Sequence, residues 1–289
     1  MNSNRISLRA WGEWACFTRP EMKVERVSYR VMTPSAARGL LEAIFWEPQM
    51  YYLISEIRIL KRGRWTAFRR NEVTARISIN NAKRWMSEPQ SFTPIAAGGG
   101  AADGTQRNML ALGDVEYIIT AEVQASELGK RAGQTTRKYV EEITRRARTG
   151  KCFHRPCFGM REFAADFEFE ADPEAAFTRR REELTRELKG DWEIWNENLG
   201  LMLYDVFDYE ERAAGFRWLS DGEIAAQIGL DETSVNKHQK AKKRTLMLEE
   251  GKRVAPVPAF FQAEIKDSVL ACHPSHIELI RRTPASERS

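Results

Sequence analysis

The chain has 289 residues, 42% of them apolar and 30% charged, with a formal net charge of +4. That apolar content supports a packed core and excludes disordered and fibrous classes. No run of ~18 apolar residues occurs and Met1–Trp14 lacks the apolar stretch of a secretory leader, so no helical membrane span is expected and the cytoplasm is the expected compartment.

Four cysteines (Cys16, Cys152, Cys157, Cys272) in a chain this long do not make a disulfide framework. Basic residues are clustered, at Arg69-Arg70, Arg145-Arg146, Arg179-Arg180-Arg181 and Lys237 to Arg244. Local patches on a near-neutral chain suit a phosphate-bearing partner better than a membrane, although a solvated surface has the same composition.

Asn4 to Phe17 alternates partially and reads as a first strand. Thr33-Pro34 then opens a helix as N-cap and first helical residue, with Leu40, Leu41, Ile44 and Phe45 on one face and Pro48 beyond its end. Tyr51 to Leu60 is β-branched and aromatic, a second strand. From Arg62 to Arg70 the pattern weakens to that of a hairpin or basic loop, and Ala96 to Gly104 reads as a flexible loop. Val115, Tyr117, Ile119, Ala121 and Val123 alternate as a half-buried strand. A second helix is expected from about Thr135 to Thr149, with Tyr139, Val140, Ile143 and Ala147 on one face and Gly150 as its stop. Phe163, Ala165, Phe167 and Phe169 then mark a further strand. Strand-helix-strand repeated twice is the split βαβ arrangement. Beyond it come a charged helix from Asp172-Pro173 with Phe177, Leu184 and Leu188 inward, a strand at Leu201–Phe207, a mostly helical stretch from Tyr209 to about Gly251, and a hairpin from Pro258 to Leu270 turning at Lys266-Asp267.

Two segments are distinctive: Phe17-Thr18-Arg19-Pro20-Glu21-Met22-Lys23-Val24-Glu25-Arg26-Val27-Ser28-Tyr29, and Thr33-Pro34-Ser35-Ala36-Ala37-Arg38-Gly39-Leu40-Leu41-Glu42-Ala43-Ile44-Phe45-Trp46. With Arg69-Arg70-Asn71-Glu72-Val73, Gln106-Arg107-Asn108, Phe153-His154-Arg155-Pro156 and Arg161-Glu162-Phe163 in order, they closely resemble the subtype I-C branch of the Cas-five family of CRISPR-associated proteins. The resemblance implies an α+β protein: an RRM-like (ferredoxin-like) N-terminal domain with a basic hairpin and a small antiparallel C-terminal sheet; a helical module from about Glu210 to Gly251 reads as an insertion extra to the family. The expected divisions are 1–170 for the RRM-like domain, 171–208 for the charged helix and connecting strand, 209–255 for the insertion, and 256–289 for the C-terminal hairpin and tail. It also implies a cationic face on a four-stranded platform that grips the repeat-derived handle of a crRNA, beside the backbone and large subunits of a Cascade complex, and endoribonuclease cutting of the pre-crRNA repeat. The alternative is a non-catalytic structural subunit with added DNA or protein contacts.

RNA cleavage without a metal uses the substrate's own 2′-hydroxyl as nucleophile. It needs a base, a cation for the phosphate charge and an acid for the leaving oxygen. The family is associated with Tyr, Lys and His in these roles, and the matching positions here hold Phe45, Lys138 and Tyr139. Lys138, near a helix N-terminus, suits a phosphate. Phe45 exchanges no proton, and Tyr139 has an ordinary pKa of about 10 and also lies on the apolar face. Tyr51, Tyr52 or His154 are candidates for the missing group, so Lys138, Tyr139 and His154 form the candidate catalytic set. Arg69, Arg70, Arg107, Arg145 and Arg146 are the candidate RNA contacts. Cys152, His154 and Cys157 lack the second ligand pair of a closed zinc site, and no metal or other cofactor is expected.

The insertion carries its own pattern. Ile224, Ala225, Ile228, Leu230 and Val235 are spaced as a helix-turn-helix core, with Gly229 ending one helix and Asp231 or Thr233 capping the next. That second helix would present Asn236, Lys237, Lys240 and Lys243 to target DNA; a helical hairpin packed on a neighbouring subunit fits the same pattern.

Overall fold

The computed structural model describes residues 4–97, 100, 103–189, 192–236, 245–248, 251, 253–254 and 256–281. In chain order the elements are β1 (Arg5–Ala15), β2 (Arg26–Val27), α1 (Pro34–Ile44), β3 (Met50–Val73), α2 (Ile79–Ser87), β4 (Gly104–Ala125), α3 (Glu127–Arg131), α4 (Thr136–Arg148), β5 (Asp166–Phe169) and α5 (Pro173–Glu187). Then follow β6 (Glu197–Asp205), α6 (Tyr209–Ala214), β7 (Phe216–Trp218), α7 (Asp221–Ile228), β8 (Leu246–Leu248), β9 (Ala259–Lys266), β10 (Val269–Ala271) and β11 (Ile280–Arg281).

Strand periodicity sorts the first strand's side chains: Ile6, Leu8 and Ala10 are buried on one face, while Arg5, Ser7, Arg9 and Trp11 take the other. The same sorting runs through β3 and β4, and the strands join in one large sheet of order β11-β9-β10-β3-β4-β1-β5, with β2 beside β4 and β6 beside β9. α1 and α4 cover the face bearing Ile6 and Leu8, burying Leu40, Leu41, Ile44, Tyr139 and Ile143 against it. α1 starts where the Thr33 hydroxyl accepts from the Ala36 N–H, with Pro34 in the first turn. α4 stops at Gly150, whose φ of 67° places it in the left-handed region.

The opposite face is not a bare cationic platform, and this corrects the expectation. α5 lies over it, packing Ala176, Phe177 and Leu184 onto Leu60 and Ile118. The charges there are paired: Arg9 and Arg180 both donate to Glu116, and Arg58 donates to Glu56 and Glu174. Leu188, expected inward, is exposed.

Of the two readings for Arg62–Arg70, the hairpin is the one found: β3 and β4 stay in antiparallel register out to Val73↔Gly104, a hairpin roughly 70 Å long at ~3.3 Å per residue. Beyond Ala15 of β1, which pairs with Leu112, only the two-residue β2 lies beside it, and outward of Arg69 the side chains on neither face are buried, so the hydrophobic alternation that marks a strand is missing. A further expectation changes: the C-terminal hairpin is not a separate small sheet. Asp267 and Ser268, with φ of 51° and 63°, make its two-residue turn, β10 pairs with β3 and β9 pairs with β6. Register shifts in β3 at Ile54/Glu56 and Ile59/Lys61 flank that junction, where Ser55 O accepts from the Cys272 and His273 N–H groups.

The stretch expected to be mostly helical holds α6, α7 and the β7–β8 pair. Among the described residues no helix is long and apolar enough to cross a membrane.

Charge ties α1 to β6 and α6. The buried Arg38 guanidinium donates to both carboxylate oxygens of Asp205, at 2.6 and 2.9 Å, and Glu42 accepts from Arg38 and from the buried Arg212. Burial alone would raise the Asp205 carboxyl, but Arg38 outweighs it and holds it below the ordinary range. Asp205→Ala removes the bidentate partner of the buried Arg38, leaving it only Glu42, and is expected to cost about 3 kcal/mol in urea unfolding. Because the folded pKa is depressed, the wild-type advantage over Asp205→Ala is complete above the ordinary Asp value of ~3.9 and shrinks as pH falls below it.

Candidate nucleic-acid interface

Three pieces of chain meet at the C-terminal end of α1. The Ala43 carbonyl accepts from both the Phe153 and the His154 N–H, each at 2.9 Å. The Ile44 carbonyl accepts from Arg146 Nη1 at 3.3 Å, and the Phe45 carbonyl from the Tyr52 hydroxyl at 2.7 Å. A helix leaves its last carbonyls without internal partners, and here the neighbouring chain supplies them. α1 has no basic residue in its last turn, so Arg146 also provides the cation that its negative end favours.

Lys138 sits in the first turn of α4, where its N–H is capped by the Thr135 hydroxyl. Its side chain is 54% exposed; Nζ donates to Gln134 Oε1 at 2.8 Å and lies 3.9 Å from Glu47 and 5.3 Å from the centre of the Tyr139 ring. These exposed partners leave the ammonium accessible to an incoming phosphate. Towards the other end of α4, Arg145 and Arg146 share Glu142, whose carboxyl their hydrogen bonds pull down to about 2. Arg145 faces solvent, whereas Arg146 stacks at 5.1 Å on Phe45 as a strut in the α1–α4 seam.

A second cationic cluster lies on the long hairpin. Arg70 and Arg107 are direct cross-strand partners and therefore share a face. Arg26 joins them, since β2 sets it beside Met109 on that face, and both Arg26 and Arg70 lie close enough to act on the Cys16 thiol. Like charges placed opposite each other destabilise a ladder. Arg70 is offset by Glu162 at 3.0 Å and Glu72 at 3.8 Å, while Arg107 makes no hydrogen bond or ion pair among the described residues. Arg69 is exposed on the opposite face, across from Asn108.

The family model for Cas5d, described as CRISPR-associated protein (Cas_Cas5), matches residues 6–269. The chain belongs to the Cas5d family. The CRISPR pre-crRNA endoribonuclease Cas5d of Mannheimia succiniciproducens is 42% identical over 212 residues, 72% of this chain and 87% of that protein. The enzyme of the same name from Thermus thermophilus is 43% identical over 163 residues, 56% of this chain and 63% of that protein. A solved crystal structure of a CRISPR-associated protein covers 96% of each chain at a TM-score of 0.52 and 16% identity, a likeness of fold.

Within this Cas5d chain the three residues weighed for catalysis are placed very differently. Tyr139 is completely buried, its ring 6.3 Å from that of Phe45, and its hydroxyl makes no hydrogen bond among the described residues. Burial, with Glu47 nearby, pushes its pKa up to about 12, so it stays a neutral phenol at neutral pH. Tyr52 is also buried and holds the Phe45 backbone, while Tyr51 is half-buried in β3. His154 is exposed, its ring 4.5 Å from Phe153. His154 is tied to Ala43 at the level of Arg146, two turns of α4 from Lys138, roughly 12 Å at 1.5 Å per residue.

The insertion meets its expected pattern halfway. α7 forms with a capping box between Ser220 and Glu223 and a left-handed Gly229, and Ile224, Ala225 and Val235 share a small core with Leu219 and Met247. Among the described residues no second helix starts at Asp231 or Thr233: Glu232–Ser234 makes one 3-10 turn and Val235 is extended and packed under α7, while most of the expected helix lies outside the described residues. Asn236 is exposed; Lys237, Lys240 and Lys243 lie outside the described residues.

Two residues of the interface were not singled out from sequence. Arg26 joins Arg70 only through a parallel pairing that no local pattern announces. Phe153 did carry a signal, an aromatic residue in a Lys/Arg/Pro-containing loop where no core periodicity requires one.

Tyr139→Phe removes a buried hydroxyl that has no partner. The thermal midpoint is expected to stay level or rise, by up to about 1 kcal/mol of stability, and RNA cleavage to persist at the wild-type rate. A cleavage rate cut tenfold or more at unchanged stability would put the phenol in the reaction.

Proposed function

We propose that this chain binds the repeat-derived part of a CRISPR transcript, cuts the pre-crRNA there, and stays on the handle as a subunit of a Cascade-like effector in the cytoplasm, beside the backbone and large subunits. The observation that carries this reading is the 42% identity to a CRISPR pre-crRNA endoribonuclease across 87% of that enzyme's length. The exposed Lys138 and the Arg26, Arg70 and Arg107 cluster add the cations such a substrate needs. The order β3-β4-β1-β5, with α1 and α4 on one face, supports the RRM-like reading of the core.

In the proposed reaction the 2′-hydroxyl attacks the adjacent phosphorus, forming a new P–O bond as the bond to the leaving 5′-oxygen breaks. Lys138 stabilises the charge building on the non-bridging oxygens. Phe45 and the buried Tyr139 move no proton, which leaves the exposed His154 imidazole to take the 2′-hydroxyl proton, while solvent water supplies the proton that the leaving 5′-oxygen takes up. The RNA contacts are assigned by what already engages each side chain: the exposed Arg69 and Arg145 and the half-buried Arg70 and Arg107 of the arm meet phosphates, whereas Arg146, held by Glu142, Ile44 O and the Phe45 ring, keeps the seam.

A second reading, a subunit that holds the handle without cutting it, is favoured by the same two observations on Phe45 and Tyr139. Incubating the protein with repeat RNA in chelator separates the two. Cutting of the all-ribose strand, absent when the scissile nucleotide is 2′-deoxy, is expected; intact RNA in both cases leaves the scaffold. Lys138→Ala is expected to slow cutting at least 100-fold while changing RNA affinity less than threefold, and undiminished cutting removes Lys138 from the reaction.

Salt titration tests the arm separately. Neutralising Arg107 or Arg70 to Gln is expected to reduce the slope of log K against log salt by just under one for each variant, and an unchanged slope for both excludes the arm from the RNA path.

A further inference from the structure

The loop between α4 and β5 presents an aromatic ring that the protein core does not use. Phe153 is 74% exposed and belongs to none of the hydrophobic clusters. An exposed side chain of this size is ordinarily carried on a segment free to move, yet this one is fixed at both ends. Gly150 ends α4 in the left-handed region, and the Phe153 and His154 N–H groups are both bonded to Ala43 O. Pro156 is buried, with its carbonyl accepting from the Ala165 N–H at 2.9 Å. The His154 ring meets the Phe153 ring edge to face, at 4.5 Å and 71°, which fixes the ring on one side and leaves it largely open to solvent.

The surroundings are cationic. Arg145, Arg148, Lys151 and Arg155 lie within the same stretch of chain, and Lys151 and Arg155 are exposed. A rigid exposed ring flanked by cations matches what single-stranded nucleic acid offers, a flat base face with a phosphate on either side. A protein partner that buried Phe153 would need an apolar surround on this side too, and the neighbouring side chains Lys151, Cys152, His154 and Arg155 are all exposed and provide little of one.

We propose that Phe153 is a base-stacking residue: one unpaired base of the bound RNA lies on its open face, and the adjoining phosphate is drawn to Lys151 and Arg155. The assignment rests on the RNA-binding reading above and adds to it a residue that positions the strand. Since His154 follows Phe153 directly, the stacked base sets which ribose and phosphate stand beside the imidazole.

The test is equilibrium binding of the full chain to single-stranded repeat RNA, intact and with an abasic nucleotide moved along it one position at a time. Wild-type protein is expected to lose affinity roughly tenfold at one position. Phe153→Ala is expected to lose the same factor on intact RNA and nothing further at that position. Phe153→Tyr and Phe153→Trp should restore both the affinity and the abasic penalty, and thermal midpoints within about 2 °C of wild type show that the fold is intact.

Phe153→Ala binding intact RNA as tightly as wild type overturns the proposal, as does an abasic penalty that survives the substitution at every position. Unchanged RNA affinity with a lost protein contact would make Phe153 a protein-docking residue and overturn it equally. If wild-type protein fails to bind any of these RNAs, the function reading itself falls, an outcome distinct from failure of Phe153 alone.

Discussion

The antiparallel register between β3 and β4 is the constraint on which the rest of this structure depends. Inboard, it aligns Ile57 with Ile119 and Ile59 with Tyr117, so that one face of the sheet buries against α1 and α4. Outboard, the same register sets Arg70 opposite Arg107 and brings the arm's charges to one side. A slip of one residue would turn every side chain of a strand to the other face, unpacking the core and scattering the cations at once. The two bulges in β3 adjust this ladder only where the C-terminal hairpin attaches.

The interface beside α4 follows from a different necessity, the unpaired carbonyls at the end of a helix. Ala43, Ile44 and Phe45 each accept a hydrogen bond from another part of the chain, and the donors are the residues that give this region its chemistry or its stiffness. The loop with Phe153 and His154 is thus held by backbone groups, leaving its side chains free for a ligand. Arg146 has the opposite arrangement, its side chain engaged by Glu142, Ile44 O and the Phe45 ring. Adjacent in sequence, Arg145 and Arg146 therefore have different work, because a one-residue step turns a helix by 100°.

Much of this architecture was legible where local chemistry and tertiary demand agree. Thr33-Pro34 and Asp172-Pro173 both start helices where their capping chemistry says, and Gly150 and Gly229 end theirs. The alternation at Val115 to Val123 survives as the centre of β4. The arm was legible as a basic hairpin but not in its length or register, because outward of Arg69 neither face of it is buried and nothing selects for alternation. The joining of the C-terminal hairpin to β3 was also hidden, being a long-range pairing with no local sign. Lys138 and Tyr139 show the same limit within the site. They are neighbours in sequence, yet the 3.6-residue period sends one to solvent and the other to the core, and only the packed helix shows how deeply the second is buried.

The attachment of β10 to β3 also governs when the sheet can be completed. Arg58 finds Val269 roughly 200 residues later in the chain. At ribosomal elongation of about 5–20 residues per second, that interval is on the order of 10–40 s. Through that time the β3 edge around Ile57 has no native neighbour on that side, and an uncovered strand edge is a template for pairing with other chains. Nascent copies are therefore prone to associate wrongly throughout that interval, and the tight Asp267-Ser268 turn, by forming locally and fast, shortens that exposure once β9 and β10 emerge.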